Sequence, residues 1–254
     1  MSEPTVGKFM KVSEPLEFDH VDRKDIYEHV ESHGTVDVEQ VRRELFPHDE
    51  SRFRHQLAML KRDGYVEEKD GELHVAFEPE GETEEYTEGE FEFTIRPARQ
   101  EDISGIVGAI RQVAEEKMYI EAESVAEALD HQDVLLRHNE LESRMFFVAL
   151  VDDEVVGWAH VEAPETEKLR HNAELTFGVV EDYRGHGIGN HLFQRVLEWA
   201  KSNGYEKVYQ SVPATNEDAV AFLEDKGCYV DAVREDHYKI DGDYVDEVML
   251  ALEL

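Results

Sequence analysis

The sequence predicts an α/β protein in two parts, a small helical domain followed by a larger one in which strands and helices alternate. Three observations carry this expectation. A strand, a tight glycine turn and a helix succeed one another over residues 174–202. From residue 91 onward, runs with strand and helix periodicity alternate to the end of the chain. A glutamate-rich stretch over residues 78–90 divides this region from a compact, helix-patterned segment before it.

Residues 1–20 lack a clear period and are expected to be a loosely held lead-in. Across residues 21–78 the apolar spacing predicts three short helices. Ile26, Tyr27 and Val30 mark the first, Val38, Val41 and Leu45 the second, and Phe53, Leu57 and Leu60 the third, with Gly34 and Asp63-Gly64 as stops. Residues 65–68 and 73–76, joined through Asp70-Gly71, predict a β-hairpin. Three helices and a hairpin resemble a winged-helix domain, with residues 51–62 at the recognition-helix position. That resemblance implies nucleic-acid binding by Arg52, Arg54, Lys61 and Arg62. The alternatives are a solvated helix face or a module for protein contacts or dimerisation. Acids outnumber bases across the segment, and phosphate contacts weaken steeply with salt, which weighs against DNA.

The run E-P-E-G-E-T-E-E-Y-T-E-G-E, from Glu78 to Glu90, reads as a self-repelling, extended linker and sets the acidic linker of the domain division at residues 79–91. Residues 92–254 form the second domain. Strands are expected near 91–96, 144–151, 154–162, 173–180, 206–212, 229–238 and 245–253, and helices near 102–117, 122–139, 186–202 and 216–226.

The stretch E-L-T-F-G-V-V-E-D-Y-R-G-H-G-I-G, beginning at Glu174, is the most informative. Leu175, Phe177, Val179 and Val180 are β-prone, and Glu181-Asp182 closes the strand. After the glycines, Ile188, Leu192, Phe193, Val196, Leu197 and Ala200 define one buried helix face, and Asn203-Gly204 ends it. Gly185, Gly187 and Gly189 stand where the first helical turn leaves its N–H groups unpaired, so an anion can approach the backbone closely. A diphosphate fits this pattern; an ordinary tight strand-to-helix connection is the structural alternative. Spacing excludes other phosphate loops. G-x-x-x-x-G-K-[ST] is absent, and a dinucleotide G-x-G-x-x-G would need glycine where Asn190 or Leu192 stands.

Arg184-Gly185-His186-Gly187-Ile188-Gly189 resembles the [QR]-x-x-G-x-[GA] acyl-CoA-binding signature of the GNAT superfamily of N-acetyltransferases. Phe93-Thr94-Ile95-Arg96-Pro97-Ala98 with Glu101-Asp102 is similar to that family's opening strand and helix start. Asn216-Glu217-Asp218-Ala219 with Lys226-Gly227 is similar to a later segment. The resemblance implies the GNAT fold, a mixed and mostly antiparallel sheet with a splayed central strand pair and flanking helices. It implies acetyl-CoA as co-substrate, its pantetheine arm held by backbone near Phe177, Val179 and Val180. Its pyrophosphate would lie on the N–H groups of Gly185, His186, Gly187, Ile188, Gly189 and Asn190, with Arg184 at the turn and Asn216 beside the arm. Asn216 also reads as a plain N-cap, and the side chains of His186 and His191 read as packing or surface groups.

Acyl transfer to an amine needs the neutral amine, and a lysine of pKa ~10.4 is neutral only about once in 2,500 molecules at pH 7. Glu174, ten residues before Arg184, resembles the family's catalytic glutamate, and strand alternation puts it on one face with Thr176 and Gly178. The alternative is a solvent-facing strand carboxylate. The tyrosine that the family often uses to protonate the thiolate should stand at position 223, where this chain has Leu223. Ser211, Tyr229 or Tyr238 is a substitute hydroxyl, with Ser211 the first to test.

Composition narrows the class. Sixty acidic residues against 26 basic ones give a formal charge of -34, and 41% hydrophobic residues in periodic runs argue for a folded chain. A folded protein this acidic suits a cytoplasm of molar salt, which points to a salt-accumulating, haloarchaeal-type source. No run approaches the ~18 apolar residues of a membrane span, and the polar N-terminus does not resemble a signal peptide, so a cytoplasmic protein without a membrane partner is expected. One cysteine, Cys228, excludes an internal disulfide, and no metal is expected. The leading expectation is an acetyl-CoA-dependent N-acetyltransferase acting on a protein lysine or a small amine, with a homodimer as one assembly. The rival is a winged-helix nucleic-acid-binding regulator whose second domain senses acyl-CoA without turnover.

Overall fold

The computed structural model describes residues 16–76, 83–89, 91–115, 120–132, 134–135, 137–139, 142–164, 166 and 168–254. The first domain comprises α1 (Val21–His33), β1 (Thr35–Asp37), α2 (Val38–Leu45), α3 (Glu50–Asp63), β2 (Val66–Lys69) and β3 (Glu72–Val75). Capping fixes the helix ends. Asp37 accepts from the Gln40 N–H and Asp49 from the Arg52 N–H, and Gly64 closes α3 in the left-handed region at φ 80°. Ile26, Tyr27, Val30, Val41, Phe53, Leu57 and Leu60 meet in one core, as their spacing predicts. The sequence does not reveal β1, which at three residues is too short to show a period. It pairs with β3 through Val36 and Leu73, making a sheet of order β1-β3-β2.

Most of the expected lead-in lies outside the described residues. Its last part is not loose: Phe18 packs on Tyr27 and Tyr65 with ring centroids 5.2 and 5.1 Å away.

The second domain comprises β4 (Glu84–Glu88), β5 (Phe91–Pro97), α4 (Ile103–Ala114), α5 (Ile120–Gln132), β6 (Arg137–His138), β7 (Glu142–Val151), β8 (Glu154–Pro164) and β9 (Asn172–Val179). It continues with α6 (Ile188–Ser202), β10 (Lys207–Pro213), α7 (Glu217–Asp225), β11 (Tyr229–Ile240) and β12 (Asp243–Glu253). Among the described residues these strands form one sheet of order β11-β12-β10-β9-β8-β7-β5-β4, with β6 on β7. Among the described strands of this sheet only the β9–β10 pair is parallel. One face buries Met145, Phe147, Val161 and Leu175 against Phe193 and Val196 of α6 and Leu223 of α7, and the other buries Phe146, Val148 and Trp158 beneath α4 and α5.

Two expectations need correction. The segment 79–91 is not a free linker throughout, because residues 84–88 form β4, an edge strand paired with β5. Tyr86 anchors it, stacking on Phe93 at 5.3 Å and touching the His191 ring at 4.0 Å, while Glu84 pairs with Arg195 at 3.2 Å. Local packing thus overrides the charge repulsion that suggests a linker. The helix expected over 122–139 ends at Gln132, and residues 137–138 instead pair with β7.

Arg96 and Asp102, which carry the opening motif, join the end of β5 to the start of α4. Their side chains bond at 2.6 and 2.9 Å, and Asp102 also accepts the Arg99 N–H at 2.7 Å. The two domains touch through the Tyr27 hydroxyl, which donates to the His138 carbonyl at 2.7 Å, and the Asn139 amide, which donates to Glu31 at 3.0 Å.

Candidate active site

The site begins at a divergence of strands. On one side β9 pairs with β8 from Glu174↔Glu162 to Val179↔Gly157. On the other it pairs with β10 only at Asn172, Ala173 and Glu174, opposite Lys207, Val208 and Tyr209. Beyond Glu174 the ladder stops, leaving a gap between residues 175–179 and 210–213. The Gln210 side-chain oxygen is buried there without a hydrogen-bond partner.

The far end of β9 leads into the glycine turn. Gly185 and Gly187 take φ of 80° and 79°, a conformation that side chains disfavour. Gly187 caps α6 with no side chain, so the first N–H groups of the helix are left to an external acceptor. A Cβ at Gly185 would meet nothing within 4 Å, so the turn is open. These residues fit a diphosphate. The Arg184 Nε donates to the Val179 carbonyl at 2.8 Å and so locks the turn to the strand. His186 stacks on Phe91 at 4.2 Å, and His191 lies 3.2 Å from the Glu88 carboxylate, both as packing groups. Glu88 itself rests against the turn, its Cγ 3.3 Å from where a Gly187 Cβ would stand.

At the apex of the gap, a cleft of about 190 Å³ holds Glu174 and Thr176 of β9, His160 and Glu162 of β8, Arg144 of β7, and Glu121 of α5. Register explains the grouping. Glu162 faces Glu174, His160 faces Thr176 and Arg144 faces Glu162 across neighbouring strands. Glu174 and Thr176 share the α5 face, and Gly178, next on that face, leaves room for the Trp158 ring. The Glu174 surface is open to the cleft, yet the walls desolvate its carboxyl. That desolvation, followed by the charges of Glu121, Glu162 and Glu247, raises its pKa above the ordinary carboxylate value. Burial, reinforced by the Arg144 charge, pushes His160 down to about 3, so its ring is neutral.

The remaining expected residues are spread more widely. Asn216 is buried and caps α7, accepting the Ala219 N–H at 3.2 Å. Leu223 is buried in the core, away from solvent. Ser211 lies on β10 opposite Met249 and does not line the Glu174 cleft. Tyr238, by contrast, is buried and donates to Glu121 at 3.0 Å. Sequence reasoning missed Glu121, Arg144, His160 and Glu162. The signal available was the polar alternation His160-Val161-Glu162 in an otherwise apolar strand. A second cleft, of about 820 Å³, opens between the domains beside Arg96 and His74, away from the glycine turn. Among the described residues no cluster could hold a metal ion, and no helix is long and apolar enough to cross a membrane.

Residues 107–228 match the model of the acetyltransferase (GNAT) family. A curated relative from Drosophila melanogaster, described as "Probable N-acetyltransferase san", is 28% identical over 93 residues, 36% of this chain and 50% of its own, so the match spans half of that relative. A GNAT-family acetyltransferase from Streptococcus pneumoniae superposes with a TM-score of 0.54 at 19% identity, covering 64% of this chain and 99% of the other. A GCN5-related N-acetyltransferase from Kribbella flavida gives 0.53 at 22% identity over 64% and 98%. The structure of yncA from Salmonella typhimurium with its cofactor acetyl-CoA gives 0.52 at 18% identity over 63% and 93%. The mixed α/β architecture of the second domain is thus the GNAT fold.

Proposed function

We propose that the second domain is an acetyl-CoA-dependent N-acetyltransferase. The observation that carries this reading is the parting of β9 from β10 just past Glu174, at the root of the strand that ends in an uncapped, glycine-lined helix start. Acetyl-CoA would supply the acetyl thioester. The N–H groups of Gly185 to Asn190 would hold its diphosphate, and the backbone of Phe177, Val179 and Val180 would align its arm in the gap. Glu174, its pKa raised by desolvation and neighbouring carboxylates, takes the proton of the incoming primary amine directly or through water. The amine nitrogen then bonds to the thioester carbonyl carbon, the C–S bond breaks, and CoA leaves as a thiolate that takes up a proton. Tyr238 is tied to this cluster by its bond to Glu121, and it goes before Ser211 as the acid to test.

The first domain has the element order of a winged helix, and we read it as a module for protein contacts. The four cations of its α3 are paired with acids of the same domain: Arg52 with Asp22, Arg54 with Glu50, Lys61 with Glu68 and Arg62 with Asp63. Pairing of this kind opposes phosphate binding.

Two variants test the transferase reading. Gly187→Trp, checked for folding by circular dichroism, should lose acetyl-CoA binding in a calorimetric titration. Glu174→Gln should keep that binding and lower kcat for CoA release by about 10²–10⁴. Acetyl-CoA binding with no CoA release from the unaltered chain, whatever the amine, would favour the sensor instead.

A further inference from the structure

We propose that the first domain completes the acceptor cleft of the second: the Tyr27 hydroxyl is a positioning group that, through His138 and β6, holds Arg144 in the cleft wall beside Glu174. This rests on the transferase reading for its chemistry and on the joint between the domains for its geometry.

A chain of hydrogen bonds links the two places. The Tyr27 ring is fully buried in the core of the first domain, and its hydroxyl donates to the His138 carbonyl at 2.7 Å. Burial raises the pKa of that hydroxyl, so it remains a donor. The His138 ring bonds the Ser143 hydroxyl at 2.6 Å, and β6 pairs Arg137 and His138 with Arg144 and Ser143 of β7. The Arg144 guanidinium donates back to the carbonyls of Leu135 at 3.2 Å and Val134 at 2.5 Å, and the Leu135 N–H donates to the Gln100 side chain at 3.2 Å. Tyr27 stands at one end of this chain. At the other is the only guanidinium that lines the Glu174 cleft among the described residues.

The joint is polar rather than apolar. Among the described residues no apolar cluster spans both domains, and the cleft of about 820 Å³ opens beside the joint, lined in part by Val134, Arg137 and His138. Hydrogen bonds are directional, so they fix the place of β6 where an apolar contact would let it slide. Arg144 matters to the cleft in two ways. It stands opposite Glu162 in the strand register, and its charge adds to burial in keeping the His160 ring neutral. Its displacement would alter the wall that meets the amine, whereas the groups that would hold acetyl-CoA lie on β9 and at the start of α6.

The test compares the full chain with Tyr27→Phe, which keeps the ring against Phe18 and Tyr65 and loses only the hydroxyl. CoA release is followed at molar KCl with butylamine and with an Nα-blocked lysine peptide. For the amine that is acetylated, KM should rise about two- to tenfold, the worth of one hydrogen bond, at nearly constant kcat, while the calorimetric Kd for acetyl-CoA stays unchanged. A smaller folded fraction would instead cut kcat and leave KM alone. Amide hydrogen exchange should quicken over β6 and the start of β7 but not over β9 or α6. Asn139→Ala, which removes the other interdomain bond, should shift KM and exchange in the same direction, and it serves if Tyr27→Phe does not fold. Tyr65→Phe, which loses a hydroxyl bonded to Glu17 within the first domain, should change neither. An unchanged KM, or a raised KM without faster exchange in β6, overturns the proposal. CoA release from the unaltered chain separates the two readings. Faster exchange around Arg144 with no CoA release sinks the transferase and keeps Tyr27 as the group that holds Arg144. CoA release at the same KM in every variant keeps the transferase and sinks the positioning role.

Discussion

Arg96 and Asp102 make a local pair with a structural consequence: their twin hydrogen bonds hold the end of β5 to the start of α4. Burial alone would raise the Asp102 pKa, but the bonds from Arg96 and the Arg99 N–H outweigh it, and the folded value lies below the ordinary one. A depressed carboxylate contributes stability that is present above its unfolded pKa of about 3.9 and is lost as pH falls through the folded value. Arg96→Met should therefore cost on the order of 3 kcal/mol near neutral pH, by stranding a mostly buried carboxylate. The deficit should shrink as pH falls, because the stranded carboxylate of the folded variant takes up a proton before the paired Asp102 of the unaltered chain does. Urea unfolding at a series of pH values reads both effects, and a deficit independent of pH would mean that Arg96 acts by packing alone. Asp102 was legible because its motif is a fixed local spacing. His160 and Glu162 were not, since polar residues alternating along a strand look like a solvent face until a distant helix, α5, covers them.

Elements show the same division. The β9–turn–α6 unit was legible, because a β-prone run, alternating glycines and a helical apolar face are adjacent in the sequence. The edge strand β4 was not, because its stability comes from Tyr86 packing against Phe93 and His191, the second of them more than a hundred residues away. The position of β4 has a consequence for the cofactor grip. It brings the Glu88 carboxylate against Gly187 at the start of α6, where a diphosphate would also place negative charge. An anion at a helix N-terminus is worth about 0.3–1 kcal/mol, so a resident carboxylate competes by a similar amount. Glu88→Gln should tighten acetyl-CoA binding by about two- to fivefold at low ionic strength. Calorimetric titration in dilute buffer and again at molar KCl would read this, with the gain vanishing in the concentrated salt. Unchanged affinity in dilute buffer would mean that Glu88 turns away to His191 when the turn is filled.

For the whole molecule the dominant quantity is a formal charge of -34 on 254 residues. Many cations pair with acids, as at Arg52–Asp22, Arg96–Asp102 and Arg234–Glu247, yet acids exceed bases by too many for pairing to neutralise the surface. Composition made that excess legible, but not its distribution: three of those carboxylates converge on the one small cleft beside Glu174. Self-repulsion favours the expanded chain, and salt opposes it by shortening the Debye length from about 10 Å at 0.1 M to about 3 Å at 1 M. The midpoint of thermal unfolding should therefore climb steeply as KCl is added from dilute buffer and flatten once screening is shorter than the spacing between surface carboxylates. Calorimetric scans over that range, repeated with potassium sulfate at matched ionic strength, separate this from ion exclusion. Screening gives coincident curves for the two salts, whereas exclusion keeps rising without a plateau and favours sulfate. The N–H cradle of α6 is made of backbone dipoles rather than lysines. Acetyl-CoA binding should accordingly persist across the salt range in which the fold gains its stability, because helix N–H groups bond phosphate at contact distance, where screening acts least.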